Sequence, residues 1–292
     1  MDRRRAAVAR RMRGLLRGPL ALAAAGAIAA APVSAASHQE AGPRYRIDQV
    51  QCAVYRQAVV NRISSSRQGQ RARATTGWDG DLAVHGVADS LGAVNIEAWF
   101  ERLRVWQETP DGAAGPATDG LIGGRYRGVL DSLGGYRSRA VPFVPDAIAA
   151  IADLRLVLDE LLPPLPQDLP APGGEASDAS GWSWDRLSDT VWRGRSALRF
   201  RMHHHDTTDV VAEWRESRKI SATSMEEERG RLVWVPALGP VGWTRTIVTQ
   251  VEIPVPEEDG PSIHTEVRQQ RTLERLLDDP DISCSAEQNS IL

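Results

Sequence analysis

Apolar residues recur along this chain with two different periods. Over residues 241–255, Trp243, Ile247, Val251 and Ile253 share one parity, while Thr244, Thr246, Gln250 and Glu252 share the other. Residues 263–275 repeat the style, with Ile263, Val267 and Leu273 on one side. Such alternation predicts strands with one buried and one wet face, the mark of an antiparallel sheet. The same reading predicts strands over 82–87 and 94–106, joined by Asp89-Ser90-Leu91-Gly92, and over 125–130, 136–141, 182–187 and 197–205. A further strand over 231–235 forms a hairpin with 241–255 across Pro236-Ala237-Leu238-Gly239-Pro240. Between 45 and 65 the parity shifts from Tyr45 and Ile47 to Val50, Cys52 and Val54, which predicts a bulged strand. Residues 64–76 are polar and basic and read as a loop, and 210–225 carry only a weak strand pattern.

One segment departs from the period of two. Residues 145–162 place Ile148, Ile151, Ala152, Leu154, Val157, Leu158, Leu161 and Leu162 over well more than half of a helical circumference, leaving Asp146, Ala149, Asp153 and Glu160 as a narrow polar stripe. Pro145 fits a first helical position, and Pro163 and Pro164 end the run. Pro166, Pro170 and Pro172 then stiffen the exit. An apolar arc this wide requires cover on more than one side. Arg155 and Asp159 fall inside it at i, i+4, where they either pair at the rim of the packed face or mark the mouth of a pocket.

The predicted fold class is therefore mainly β (α+β), a curved antiparallel sheet or half-barrel packed around one central helix at about 145–162. The domain spans 45–277 in two halves, 45–142 and 181–277, joined by that helix and a proline-rich linker at 163–180. No period of 20–50 residues recurs, which argues against a propeller or solenoid.

The first 35 residues stand outside this pattern. Seven arginines, a short apolar run from Leu20 to Ala31 and the small residues Val33-Ser34-Ala35 read as a signal peptide cleaved near Ala35, followed by a disordered N-terminus at 36–44. The apolar run is too short for a membrane span. The expected location is periplasmic or secreted. Removing the leader takes seven basic residues and one acid, leaving an excess of nine acids. That balance argues against nucleic acid and anionic membrane surfaces as partners. In an oxidising compartment Cys52 and Cys284 are disulfide candidates, which would tie the tail at 278–292 to the first strand.

Chemistry-bearing motifs are sparse. Lys219 is the single lysine and lies in no glycine-rich loop, and no nucleophile elbow, metalloprotease helix, calcium loop or dinucleotide turn occurs. His203 and His205 would share a strand face and could hold a metal with Asp209, although solvated histidines on an edge strand are the plainer reading. Asp79 and Asp81 flank Gly80, where a turn corner is plainer than paired acids for hydrolysis, and Asp119 and Asp131 invite the same caution. Nine tryptophans exceed the tyrosines and phenylalanines together. Trp99, Trp106, Trp234 and Trp243, with Arg155 and Asp159, are the candidates to line a groove for an acyl chain, against core packing as the plainer role. These observations predict a non-enzymatic exported protein without a cofactor, whose sheet–helix groove takes a lipid or another cell-envelope protein. The alternatives are an interaction module with no small-molecule pocket and, further off, a hydrolase.

Overall fold

A computed structural model describes residues 42–88, 93–214, 218–254 and 262–276. The expected signal peptide, the Asp89-Ser90-Leu91-Gly92 turn, the tail and Cys284 lie outside them. A helical turn, α1 (Ile47–Val50), leads into β1 (Ala53–Arg67), β2 (Gln70–Ala88), β3 (Val94–Thr109), β4 (Gly112–Ala114), β5 (Tyr126–Leu130) and β6 (Tyr136–Ala140). A second turn, α2 (Asp146–Ala149), precedes β7 (Glu175–Ser177), β8 (Trp182–Arg186), β9 (Thr190–Trp192), β10 (Arg195–Trp214), β11 (Arg218–Val235), β12 (Gly239–Ile253) and β13 (Ile263–Leu276). Among the described residues these thirteen strands make one antiparallel sheet ordered β6-β5-β3-β2-β1-β13-β12-β11-β10-β8-β7, with β4 beside β3 and β9 beside β10. It is curved and does not close, the architecture expected from the alternation.

The two predicted halves meet where β1 pairs with β13, from Val54 opposite Leu276 to Ser66 opposite His264. The first and last long strands are thus neighbours in the middle of the sheet, and the two edges, β6 and β7, flank residues 141–174 in sequence. That segment has to cross the sheet from edge to edge. It does so over one face, called here the inner face, as a plug. Ile148, Ala152, Leu154, Val157, Leu158, Leu161, Leu162 and Leu165 are buried in one core cluster with Tyr55, Val59, Trp78, Leu82, Phe100, Tyr126, Trp184, Phe200, Leu232, Trp234 and Leu273. At about 1.5–3 kcal/mol per large side chain, the plug is a main contributor to the core.

The continuous helix expected at 145–162 is replaced by separate turns. Helical geometry holds over α2, a 3₁₀ turn covers Leu154–Leu156, and the stretch between them opens. Asp153 ends the first turn, its carboxylate accepting from the Arg155 backbone N–H and so competing with the helical ladder. A straight rod cannot bury apolar residues around most of its circumference against one face, whereas a chain of turns can reorient each group toward it. The proline exit is fixed from outside, because prolines bring no N–H groups and their carbonyls still need donors. Tyr45 Oη donates to Pro163 O at 2.9 Å, Trp184 Nε1 to Pro164 O at 3.2 Å and Arg186 Nη1 to Pro170 O at 3.1 Å. Arg44, expected in a disordered N-terminus, reaches Pro166 O at 3.1 Å.

Four further expectations change, the first being the bulged strand at 45–65, which begins only at Ala53 because residues 47–50 form α1. The loop predicted at 64–76 is strand on both sides of a two-residue turn, where Gln68 and Gly69 have φ of 51° and 79° and supply the positive φ values that a tight hairpin requires. Its polar residues lie in long strands that run past the plug, so apolar alternation could not reveal them. Likewise 210–225 belongs to the β10–β11 hairpin, paired from Leu198–Trp234 to Trp214–Arg218. Asp79 and Asp81 sit in mid-strand instead of at a corner, opposite Ala58 and Arg56.

Candidate functional site

Strand register orders the inner face into rows. Tyr55, Gln57 and Val59 of β1 stand opposite Arg275, Leu273 and Arg271 of β13, and Leu273 and Arg271 stand opposite Trp243 and Arg245 of β12. The next row is Asn61, Gln269, Ile247, Glu228 and His204; the one beyond it is Ile63, Val267, Thr249, Glu226 and Asp206. The plug covers the first rows. One of its charged residues, Glu160, meets the Arg271 row.

That row holds a buried charge cluster. Arg245 and Arg271 are directly opposite one another, an arrangement that repels unless carboxylates intervene. Glu228, 3 % exposed, accepts from Arg245 Nη2 at 2.9 Å, and Arg271, 8 % exposed, pairs with Glu160 of the plug. Arg271 Nε also donates to Gln269, whose amide donates to Asn61 Oδ1 at 2.8 Å. Burial pushes the Glu228 carboxyl up to about 7, with Arg245 pulling the other way. Burial also lowers the Arg271 guanidinium, opposed by Glu160. Arg271 Nη1, Trp243 Nε1 and Arg245 Nε are among the buried side-chain nitrogens without a hydrogen-bond partner. Such groups are uncommon in a folded protein. Trp243 Nε1 abuts Gly230, where an added Cβ would come within 3.3 Å of it.

Beyond this row apolar side chains return to the inner face, interspersed with polar ones. Ile63, Ile247, Val251, Ile253, Ile263 and Val267 share its parity on β1, β12 and β13, with Asn61, Gln269, Thr249, Ser65 and Thr265 among them and Glu228 and Glu226 on β11 beside them. Of the apolar residues Ile247 is buried and the others half-buried, yet none belongs to the core cluster around the plug.

The residues singled out from sequence do not converge. Arg155 is exposed and pairs with Asp153 at 2.8 Å, while Asp159 is exposed elsewhere on the plug, near Tyr136. Trp234 is core, edge-on to Tyr45 with ring centroids 5.1 Å apart, and Trp243 lies on the inner face beside Arg245. Trp99 and Trp106 have the opposite parity, Trp99 under the Arg125 guanidinium at 3.7 Å and Trp106 over Gly77. His203 and His205 are opposite Arg229 and Glu227 on the outer face, Asp209 lies opposite Thr223 further along, and no group of three metal-ligating side chains occurs among the described residues. Asp81 bonds both Arg56 and Arg102, at 2.9 and 3.1 Å; burial pushes its carboxyl up, but these bonds outweigh that and hold it below its usual value. Cys52 is disulfide-bonded. Glu228, Arg245 and Arg271 went unnoticed in the sequence and Glu160 was read only as part of the polar stripe; the signal was a charge interrupting an apolar parity: Arg245 between Trp243 and Ile247, and Arg271 between Val267 and Leu273.

No family model matches the chain, and no curated protein does. Among solved structures, MucB in complex with MucA(peri) aligns over 79% of this chain and 90% of its own at 10% identity and a TM-score of 0.24. A DUF1329 family protein from Desulfovibrio piger aligns over 82% and 92% at 13% identity and 0.15. A LolA superfamily protein from Nitrosomonas europaea aligns over 81% and 94% at 7% identity and 0.15. These scores are too low to carry a fold or a function across.

Proposed function

We propose that this chain is an exported, non-enzymatic binding protein that holds an acyl chain on the inner face beyond the plug. The observation that carries the reading is the apolar strip itself. From Ile247 to Ile253 it runs about 20 Å along the strands at ~3.3 Å per residue, on the face that curves around the plug and outside the core cluster. A strip of this kind is stable in water only with partial cover, and an acyl chain supplies it at up to ~0.8 kcal/mol per buried methylene. The basic, apolar, small-residue order of the first 35 residues supports export. No helix among the described residues is long and apolar enough to cross a membrane.

The test is binding of alcohols of increasing chain length to the purified protein, followed by displacement of an apolar fluorescent dye. Binding is expected to be saturable, to strengthen with each methylene, and to weaken at least about tenfold in Val267→Asp. Absence of saturable binding, or an unchanged Val267→Asp, refutes it.

A second reading, a protein-interaction module, is favoured by one feature. Among the described residues, β10 beyond His204 and β2 before Thr76 pair on one side only. Such open edges can accept an extended peptide strand. Cross-linking of a peptide to these segments, with no chain-length dependence for alcohols, would favour this reading over the first.

A further inference from the structure

We propose that Arg271, with Arg245 beside it, receives the acidic headgroup of an amphiphile whose chain lies on the apolar strip, and that Glu160 of the plug occupies this guanidinium until such a headgroup replaces it. The proposal rests on the strip reading and adds the class of ligand to it.

Two guanidinium groups facing each other on a buried sheet face need compensating charge. The two carboxylates that supply it are held differently. Glu228 is set by the register of β11 between Arg245 and the rest of the sheet, so it cannot leave without disrupting strands. Glu160 belongs to the plug, on a stretch of isolated turns, with its side chain 24% exposed. One of the two counter-charges is therefore detachable.

The site also has unused donors. Arg271 Nη1 and Trp243 Nε1 are buried without hydrogen-bond partners, and the indole N–H lies close against Gly230, opposite Arg245. A carboxylate or phosphate headgroup carries two or more acceptor oxygens and can engage a guanidinium in a bidentate manner. Burial favours the neutral form of Glu228, which leaves the arginine pair short of negative charge and receptive to an anion. Location completes the argument, because two rows further along the same face lie Ile63 and Val267, where the strip is under way. The distance from Arg271 to Val267 is about 13 Å along the strand, so one molecule can place its head on the first and its tail across the second.

Oleate and oleyl alcohol share a chain and differ in the charged head, so they separate the two ideas. In the purified protein, oleate should bind more tightly than the alcohol. Glu160→Gln preserves the side-chain shape and should tighten oleate about tenfold while moving the alcohol less than twofold. The double variant Glu160→Gln/Arg271→Met, which leaves neither partner buried alone, should bring oleate down to the level of the alcohol. Acetate at the same concentration should displace neither. If oleate and alcohol bind alike in all three proteins, the headgroup site is overturned and the strip reading survives. Competition by acetate alone makes it a plain anion site and also overturns the proposal. If neither lipid binds, both readings fall.

Discussion

Replacing Glu228 by Gln tests the buried charge cluster through its pH dependence. The carboxyl is 3 % exposed and its folded value is pushed up from 4.5 to about 7, with burial the largest cause. A raised carboxyl binds more protons in the folded chain than in the unfolded one, so stability falls as pH rises from about 4.5 through about 7. The gap of about 2.5 pH units corresponds to ~3 kcal/mol at ~1.36 kcal/mol per unit, an upper bound once water and side-chain adjustment soften it. Glutamine imitates the protonated form and has no such dependence. Arg245 loses its anionic partner in the Gln variant at every pH and in the wild-type protein only below about 7, so the difference between the two proteins isolates the ionisation. Urea unfolding at pH 5, 6, 7 and 8 reads it out. The Gln variant should be about as stable as wild type at pH 5 and gain on it by up to ~3 kcal/mol by pH 8, visible as a shift in midpoint with the slope unchanged. All other titrating groups are common to both proteins and cancel. Parallel pH profiles would refute the reasoning and would mean that Arg245 keeps Glu228 ionised in the folded state throughout this range.

Leu161→Ala removes a fully buried side chain from the middle of the plug and should lower stability by about 2–5 kcal/mol in chemical unfolding, whereas the exposed Leu156→Ala should change it by less than about 1 kcal/mol. Gly77→Ala places a Cβ within 2.5 Å of the Trp106 ring and 2.6 Å of the Val59 carbonyl, and should cost about 1–3 kcal/mol with a change in the near-ultraviolet tryptophan signal. Trp106→Ala in the same chain should relieve part of that loss. The pairing of Cys52 with Cys284 is expected to appear as one cross-linked peptide in non-reducing mass mapping, and replacing both by serine should destabilise by up to ~5 kcal/mol, the chain-entropy limit for so long a loop.

Much of the sheet was legible because each strand near the plug has one dry face and one wet face. Trp243, Ile247, Val251 and Ile253 alternate in the sequence and lie on one face in the structure. Legibility failed where that contrast vanishes. Between Ile63 and Thr76 both faces carry small or polar residues, so no alternation distinguished strand from loop, and only the Gln68–Gly69 turn shows why the chain reverses there. The plug was recognised as apolar on most sides, yet its helix was overestimated, because Asp153 and the demand for contact along a broad sheet face outweigh the helix propensity of an Ala- and Leu-rich run. Individual tryptophans were located in strands, but which side of the sheet each faces follows from register, and that separated Trp99 and Trp106 from Trp234 and Trp243.

By itself, then, the order of residues determined a β-rich chain with one apolar insert between two runs of strands. The tertiary structure decided that β1 and β13 lie side by side, which forces residues 141–174 to cross one face. It also decided that Arg245, Arg271, Glu228 and Glu160, drawn from three strands and the plug, meet in one buried cluster across two adjacent rows. Local pattern is written in periods of two and of three to four residues, because it concerns which side of one element is dry. Pairing between residues more than a hundred positions apart has no such period, because it is set by which long strands can exchange backbone hydrogen bonds while burying a common face.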